Sequence, residues 1–225
     1  MAVPGCAGVW VATDDQRIAD EVTAFGGQVI MTSPDCVNGT ERCADALARL
    51  GDVAPMIVNL QGDAPLSPSE LIPLLVERLG RDCEAAMATP AVRCSQAVLS
   101  HLRSDEAAGR VGGTTAVFSA SGRALYFSKR ILPYRPAPSA QPGEGAPVYL
   151  HLGLYAYRAE ALSRYLDWAP KAYEVSEGLE QLRFLDNDQR VSVLPVEQLD
   201  WDPIELNNPS DVPIIEQVLT GRGIA

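Results

Sequence analysis

The 225 residues carry 18 Lys and Arg against 29 Asp and Glu, a net charge of −11. That balance argues against gripping nucleic acid or an anionic membrane, because both need basic surface. At 47% hydrophobic and 21% charged the chain has the composition of a folded domain, and no apolar run nears the ~18 residues that span a bilayer. Five cysteines without a CxxC pair, with only two histidines beside them, read as reduced thiols rather than a disulfide framework or a zinc site. No basic start followed by an apolar stretch opens the chain, so the expected location is the cytoplasm.

The first half alternates short apolar runs with helical patterns. GVWVAT (8–13), QVIMT (28–32) and PMIVNLQGD (55–63) lack strict two-residue alternation, which suits strands covered on both faces. Between the first two, Asp14 is placed to cap a helix with Ile18, Val22 and Phe25 on one face, ended by Gly26-Gly27. Cys43, Leu47 and Leu50 repeat at helical spacing before the third run. After it, SPSE (67–70) reads as a capping box with Pro68 in the first turn, and Pro73 weakens the helix that follows.

The second half changes character. TTAVFS (114–119) and ALYFS (124–128) flank a turn and predict a hairpin. A loop with four prolines and two glycines occupies 134–147. YLHLGLYAYR (149–158) predicts one long aromatic strand. Leu162, Tyr165 and Leu166 mark a helix, SEGLEQLRFL (176–185) a second one capped by Ser176, RVSVLPV (190–196) a strand, and Val212 to Leu219 a final helix. The expected fold is a single α/β domain with a Rossmann-like, mostly parallel sheet and an antiparallel subregion. Residues 8–110 form its first half, 111–200 the second, and 201–225 return to the first.

Ligands of open α/β sheets bind at the carboxyl ends of strands. VNLQGDAPL puts Gln61, Gly62 and Asp63 at such an end: an amide for a base edge, a glycine for close backbone approach, a carboxylate for a hard cation. NGTER (38–42) holds the matching end of the preceding strand, where Thr40 and Arg42 face a phosphate or a base. Taken singly, Asp63 is equally a helix cap and Arg42 a solvated helix charge.

The joint pattern is more specific. VATDD, RIAD, AFGGQVIMTS, NGTER, IVNLQGD with Pro65, ALYFS, HLGLYAYR and LEQLR follow in one order from about Gly8 to Leu219. Together they resemble the cytidylyltransferases that activate the sugar acid 3-deoxy-D-manno-octulosonate (Kdo), with HLGLYAYR and LEQLR carrying the Kdo-specific part. The resemblance implies transfer of CMP from CTP to Kdo or a similar 2-keto-3-deoxy acid with release of pyrophosphate, assisted by Mg²⁺. The implied partners are CTP and an acidic sugar, with no nucleic acid, no membrane, and a homodimer. Asp63 falls on the family's metal-binding aspartate. Gln61, Gly62, Thr40 and Arg42 fall on nucleotide contacts. His151, Tyr155, Glu180 and Gln181 fall on the sugar-acid site, and Lys129 stands where the family has a catalytic-region arginine. Alternatives for these residues are a core histidine at 151, packing at Tyr155, a solvent-facing Glu180 and a solubilising turn at Lys129.

Four departures accompany the match. The family's opening strand and glycine-rich basic loop have no counterpart here. Asn207, in LNNPSDV, stands where the second metal carboxylate belongs; Ala64 replaces an acid after QGD; and Thr115 lies near the position of a family lysine. They predict a weakened nucleotide and metal centre, because an amide coordinates Mg²⁺ without supplying charge. A non-catalytic binder of the sugar acid or CMP-sugar, and a transferase for another acid sugar, are the competing readings. The absent strand further predicts either direct pairing of the strands at VWVAT and IVNLQ or a dimer that covers the gap.

Overall fold

Each apolar run becomes a strand over its β-branched and aromatic centre, and each helix starts where a polar side chain or a glycine breaks the extended chain. The computed structural model describes residues 3, 5–51, 54–134, 146–197, 199, 206 and 212–223. In chain order the elements are β1 (Trp10–Thr13), α1 (Gln16–Ala24), β2 (Gln28–Met31), α2 (Gly39–Leu50), β3 (Met56–Leu60), α3 (Leu71–Arg81), β4 (Ala85–Arg93) and α4 (Gln96–Ala107). The hairpin β5 (Thr115–Phe118) and β6 (Ala124–Ser128) follows, then β7 (Tyr149–His151), β8 (Leu154–Arg158), α5 (Ala159–Tyr165), α6 (Ala172–Glu177), α7 (Leu182–Asp186), β9 (Arg190–Val196) and α8 (Val212–Gly221).

β4 is the spine of the main sheet. β9 runs parallel along one of its edges, while β8 and then β7 run antiparallel along the other. β3 continues the sheet from β8, and β5 and β6 continue it from β7. The α/β class is as expected. Among the described residues only β1–β2 and β4–β9 pair in parallel, so the antiparallel share is larger than the sequence implied.

The expected long aromatic strand is two strands. The break at Leu152-Gly153 falls opposite Pro90, whose carbonyl accepts from Leu152 N–H at 3.3 Å. A residue's N–H and C=O point to the same edge, so the donor that Pro90 lacks is missing where no regular ladder bond is made. That is how a proline sits in the most central strand. The break also separates the outer partners: Leu154 lies opposite Leu60 of β3, and Leu150 opposite Thr115 of β5. The carboxyl end of β3 reaches this break, where Gln61 N–H donates to the Gly153 carbonyl at 3.3 Å.

Two layers cover the sheet. α3 packs Leu71, Leu75 and Leu79 on Ala85, Ala88, Leu154 and Ala156. On the opposite face Met87, Ala91, Tyr155 and Tyr157 meet Ala44, Leu47, Leu162 and Phe184. β1 and β2 form a separate two-stranded sheet. Direct pairing of β1 with β3, one of the two outcomes expected, is not found; α2 bridges the sheets by touching β1, β2 and β3.

Other expectations shift locally. The cap of α1 is Asp15, not Asp14, and the helix buries Ala19 and Val22 while Ile18 and Phe25 stay exposed. The SPSE capping box does not form: α3 begins at Leu71, which puts Pro73 in its first turn where no intrahelical N–H is required. SEGLEQLRFL is not one helix, because Gly178 at φ +61° ends α6 in the left-handed region and α7 starts only at Leu182. β4 and α4, within an alanine-rich stretch of weak pattern, were not expected. Residues 135–145 of the proline-rich loop lie outside the described residues.

Candidate active site

The break between α6 and α7 turns Glu180 inward. Its side chain is 9% exposed and joins two distant elements. Thr40 N–H, in the first turn of α2, donates to Oε2 at 2.7 Å, and Gln61 Nε2, just past β3, donates to Oε1 at 2.7 Å. A carboxylate at a helix start meets the unpaired N–H groups and the positive end of the dipole. Of the two partners proposed for NGTER, a phosphate is thus displaced at Thr40 by an internal anion. Burial raises the Glu180 pKa; the Thr40 and Gln61 donors offset part of that, and the nearby Asp63 charge pushes it up further.

Gln61 lies against Gly153, where an added Cβ would fall inside van der Waals contact of Oε1. Beside it, Asn59 is 7% exposed and its Nδ2 has no hydrogen-bond partner among the described residues. Asn59 and Gln61, two residues apart on β3 and its continuation, both approach Gly39, at 3.4 and 2.9 Å from where its Cβ would stand. The absence of a Cβ at Gly39 lets the two carboxamides approach this closely. Thr40 Oγ1 shares a hydrogen bond with Tyr157 Oη at 2.8 Å.

From Tyr157 an aromatic row runs along β8 to Tyr155 and on to His151 at the end of β7, with centroids 5.7 and 5.4 Å apart. His151 is 7% exposed, and burial drops its pKa to about 3, so the ring is neutral near pH 7. Thr89 Oγ1 gives its single hydrogen to the Leu154 carbonyl at 2.9 Å and therefore accepts from His151 Nε2–H at 2.8 Å. This fixes the tautomer and leaves Nδ1 as an acceptor. The core-histidine alternative holds in part: the ring is buried, yet it belongs to the row that ends at Thr40.

Asp63 is exposed in the loop after β3, and its backbone carbonyl accepts from Leu206 N–H at 2.6 Å. Asn207 lies outside the described residues. Gly62 is exposed with open space before it. Arg42 points away from Glu180, bonding Thr32 Oγ1 at 2.7 Å and Asp14 at 3.1 Å. Lys129 is exposed; its N–H donates to Glu177 Oε2 at 2.9 Å, and its Nζ lies 2.9 Å from where a Cβ on Gly178 would stand. Gln181 is 1% exposed with Nε2 unpartnered among the described residues. The structure thus joins Thr40 and Gln61 to Glu180, brings the Asp63 charge to bear on Glu180, links Tyr155 and His151 to Thr40 through Tyr157, and gives Arg42 and Lys129 partners outside this cluster.

Residues 3–191 match the cytidylyltransferase family profile. The chain belongs to that family. The 3-deoxy-manno-octulosonate cytidylyltransferase of Maricaulis maris is 42% identical over 222 residues, covering 99% of this chain and 84% of that protein. The enzyme of the same name from Chlamydia pneumoniae is 38% identical over 212 residues, covering 93% and 76%. A solved CMP:2-keto-3-deoxy-manno-octonic acid synthetase complexed with CTP superposes with a TM-score of 0.80 at 29% identity, over 98% of this chain and 83% of that one. Among cytidylyltransferase residues that the sequence did not single out are Asn59, Thr89 and Tyr157. Asn59 and Tyr157 were detectable as the same-face neighbours of Gln61 and Tyr155 two residues away. Nothing in the sequence marks Thr89.

Proposed function

We propose that this cytidylyltransferase transfers CMP from CTP to Kdo or a closely similar 2-keto-3-deoxy sugar acid. The observation that carries the reading is the meeting of Thr40, Gln61 and Glu180, from three separate motifs, beside the β7–β8 break. The sugar's anomeric hydroxyl oxygen attacks the α-phosphorus. A new P–O bond forms, the bond to the bridging oxygen breaks, pyrophosphate leaves with the electron pair, and the hydroxyl proton passes to solvent.

The residues divide the work by chemistry. Gln61 and Asn59 supply carboxamides to the base, with Thr40 and Arg42 bordering it. His151 Nδ1 accepts from a sugar hydroxyl, Tyr155 and Gln181 line the same region, and Lys129 offers a cation to the acid. The exposed Asp63 carboxylate suits Mg²⁺, which is bound through one or two carboxylates plus substrate phosphates; Asn207 would supply an uncharged oxygen. The ion, when bound, neutralises developing phosphate charge. A homodimer belongs to this reading, supported by exposed Leu125 on edge strand β6 and by Tyr173 and Val175 on the neighbouring α6.

The test is pyrophosphate release from CTP with a panel of 2-keto-3-deoxy acids. Kdo is expected to be the best acceptor, and Asp63→Ala to lower kcat by ~100-fold or more. Asn207→Asp is expected to raise Mg²⁺-dependent turnover. Retained sugar-acid binding with no release of pyrophosphate would replace this reading with that of a non-catalytic binder.

A further inference from the structure

We propose that a cavity of about 470 Å³ between α3, β9 and the β5–β6 turn is a second binding site, built for a small carboxylic acid with an apolar body. The site and its test stand independently of the transfer reading above.

The cavity lies away from the Glu180 cluster. β3 and β4 both pair antiparallel with β8, so they run the same way. Glu180 meets Thr40 and Gln61 past the carboxyl end of β3. Arg81 and Asp82, by contrast, sit just before β4, and Arg190 opens the parallel β9. The volume is that of a small-molecule pocket.

One wall is assembled around Arg78. Its Nε donates to Ser192 Oγ at 2.8 Å and its Nη2 to the Ser121 carbonyl at 2.5 Å, which fixes the guanidinium plane. Gly122, at φ +81°, makes room for the group: a Cβ there would collide with Nη2. Nη1 has no hydrogen-bond partner among the described residues, and no carboxylate among them pairs with Arg78.

The other lining charges are matched. Glu77 pairs with Arg81, and Asp82 with Arg190 at 3.0 Å; Arg190 also meets Glu84, which is exposed and does not line the cavity. Three guanidiniums against two carboxylates leave one positive charge over, in a chain of net charge −11. A single negative charge balances that excess, whereas a dianion would set its second charge against Glu77 and Asp82. A planar carboxylate suits a fixed planar guanidinium. Leu74 and Leu194 add apolar wall, and Leu74 is 46% exposed although it lines the cavity. An apolar body on the acid would cover that surface.

Benzoate is the probe. Calorimetry on the full chain is expected to show it binding at least ~10-fold more tightly than benzamide, which lacks the charge, and than acetate, which lacks the apolar body. Amide NMR shifts on adding benzoate are expected to cluster at residues 74–82, 121–123 and 190–194. Leu74→Glu puts a carboxylate at the exposed rim and is expected to weaken benzoate at least ~10-fold with an unchanged melting transition. Arg78→Gln removes the unmatched charge and is expected to do the same; if it does not fold, Leu74→Glu decides alone. Equal affinity for benzoate and benzamide overturns the inference, as does benzoate affinity that Leu74→Glu leaves unchanged. Shifts confined to residues 39–42, 61–63 and 151–155 would overturn it too, by placing the acid at the Glu180 cluster instead.

Discussion

His151 is a neutral imidazole held by burial, and that has a thermodynamic signature. Its pKa falls from the ordinary value near 6.5 to about 3 on folding. The unfolded chain therefore takes up a proton that the folded chain refuses, so its contribution is full above pH 6.5 and is lost as pH falls toward 3. Chemical denaturation between pH 7 and 5 is expected to show stability dropping by up to about 1.4 kcal/mol per pH unit below the midpoint, a slope that His151→Gln reduces. The other histidine, His101, is exposed on α4. Gly153 gives a second prediction. An added methyl would push on Gln61 Oε1, so Gly153→Ala is expected to raise KM for CTP several-fold with an unchanged melting transition. Gln61 and Asp63 were legible because strand ends are where such chemistry sits. The Thr40–Glu180 contact was not, since 140 residues separate its partners and nothing local records the pairing.

Short helices α6 and α7 are positioned by one buried cation. Arg183, 2% exposed, bonds Glu174 of α6 at 2.6 Å and Glu41 of α2 at 2.9 Å, and its guanidinium lies 4.2 Å from the Tyr165 ring centroid. Removing it strands the buried Glu174 carboxylate and unpairs the partly buried Glu41, so Arg183→Ala is expected to cost about 3–5 kcal/mol in denaturant unfolding. The same sequence stretch shows why the pattern misled. Leu179, Leu182 and Leu185 do repeat at helical spacing and do face the core. Gly178 in the left-handed region overrides the repeat and frees Glu180 from a helix surface, where it would have faced water. In the long aromatic run the decisive residue was in another strand: Pro90 interrupts the ladder at Leu152-Gly153. Periodicity reads a strand's own faces, not its neighbour's missing donor.

At the scale of the molecule the sequence pointed to the α/β class and to the chain order of the elements from β1 to α3, but not to β4 or α4. It did not show how the sheet divides. β1 bonds only to β2 among the described strands, and β3 only to β8, so the β1–β2 pair lacks the cross-strand bonding that locks β4 between β9 on one side and β7 and β8 on the other. Local opening follows contact density and hydrogen bonding. Amide hydrogen exchange is expected to run faster through residues 10–13 and 28–31 than through 85–93 and 190–196, and exchange at equal rates would show that the smaller sheet is held as firmly as the larger. Since α2 touches both sheets and carries Thr40 in its first turn, a tilt of the smaller sheet that moved this helix would be felt directly at the Thr40–Glu180 bond.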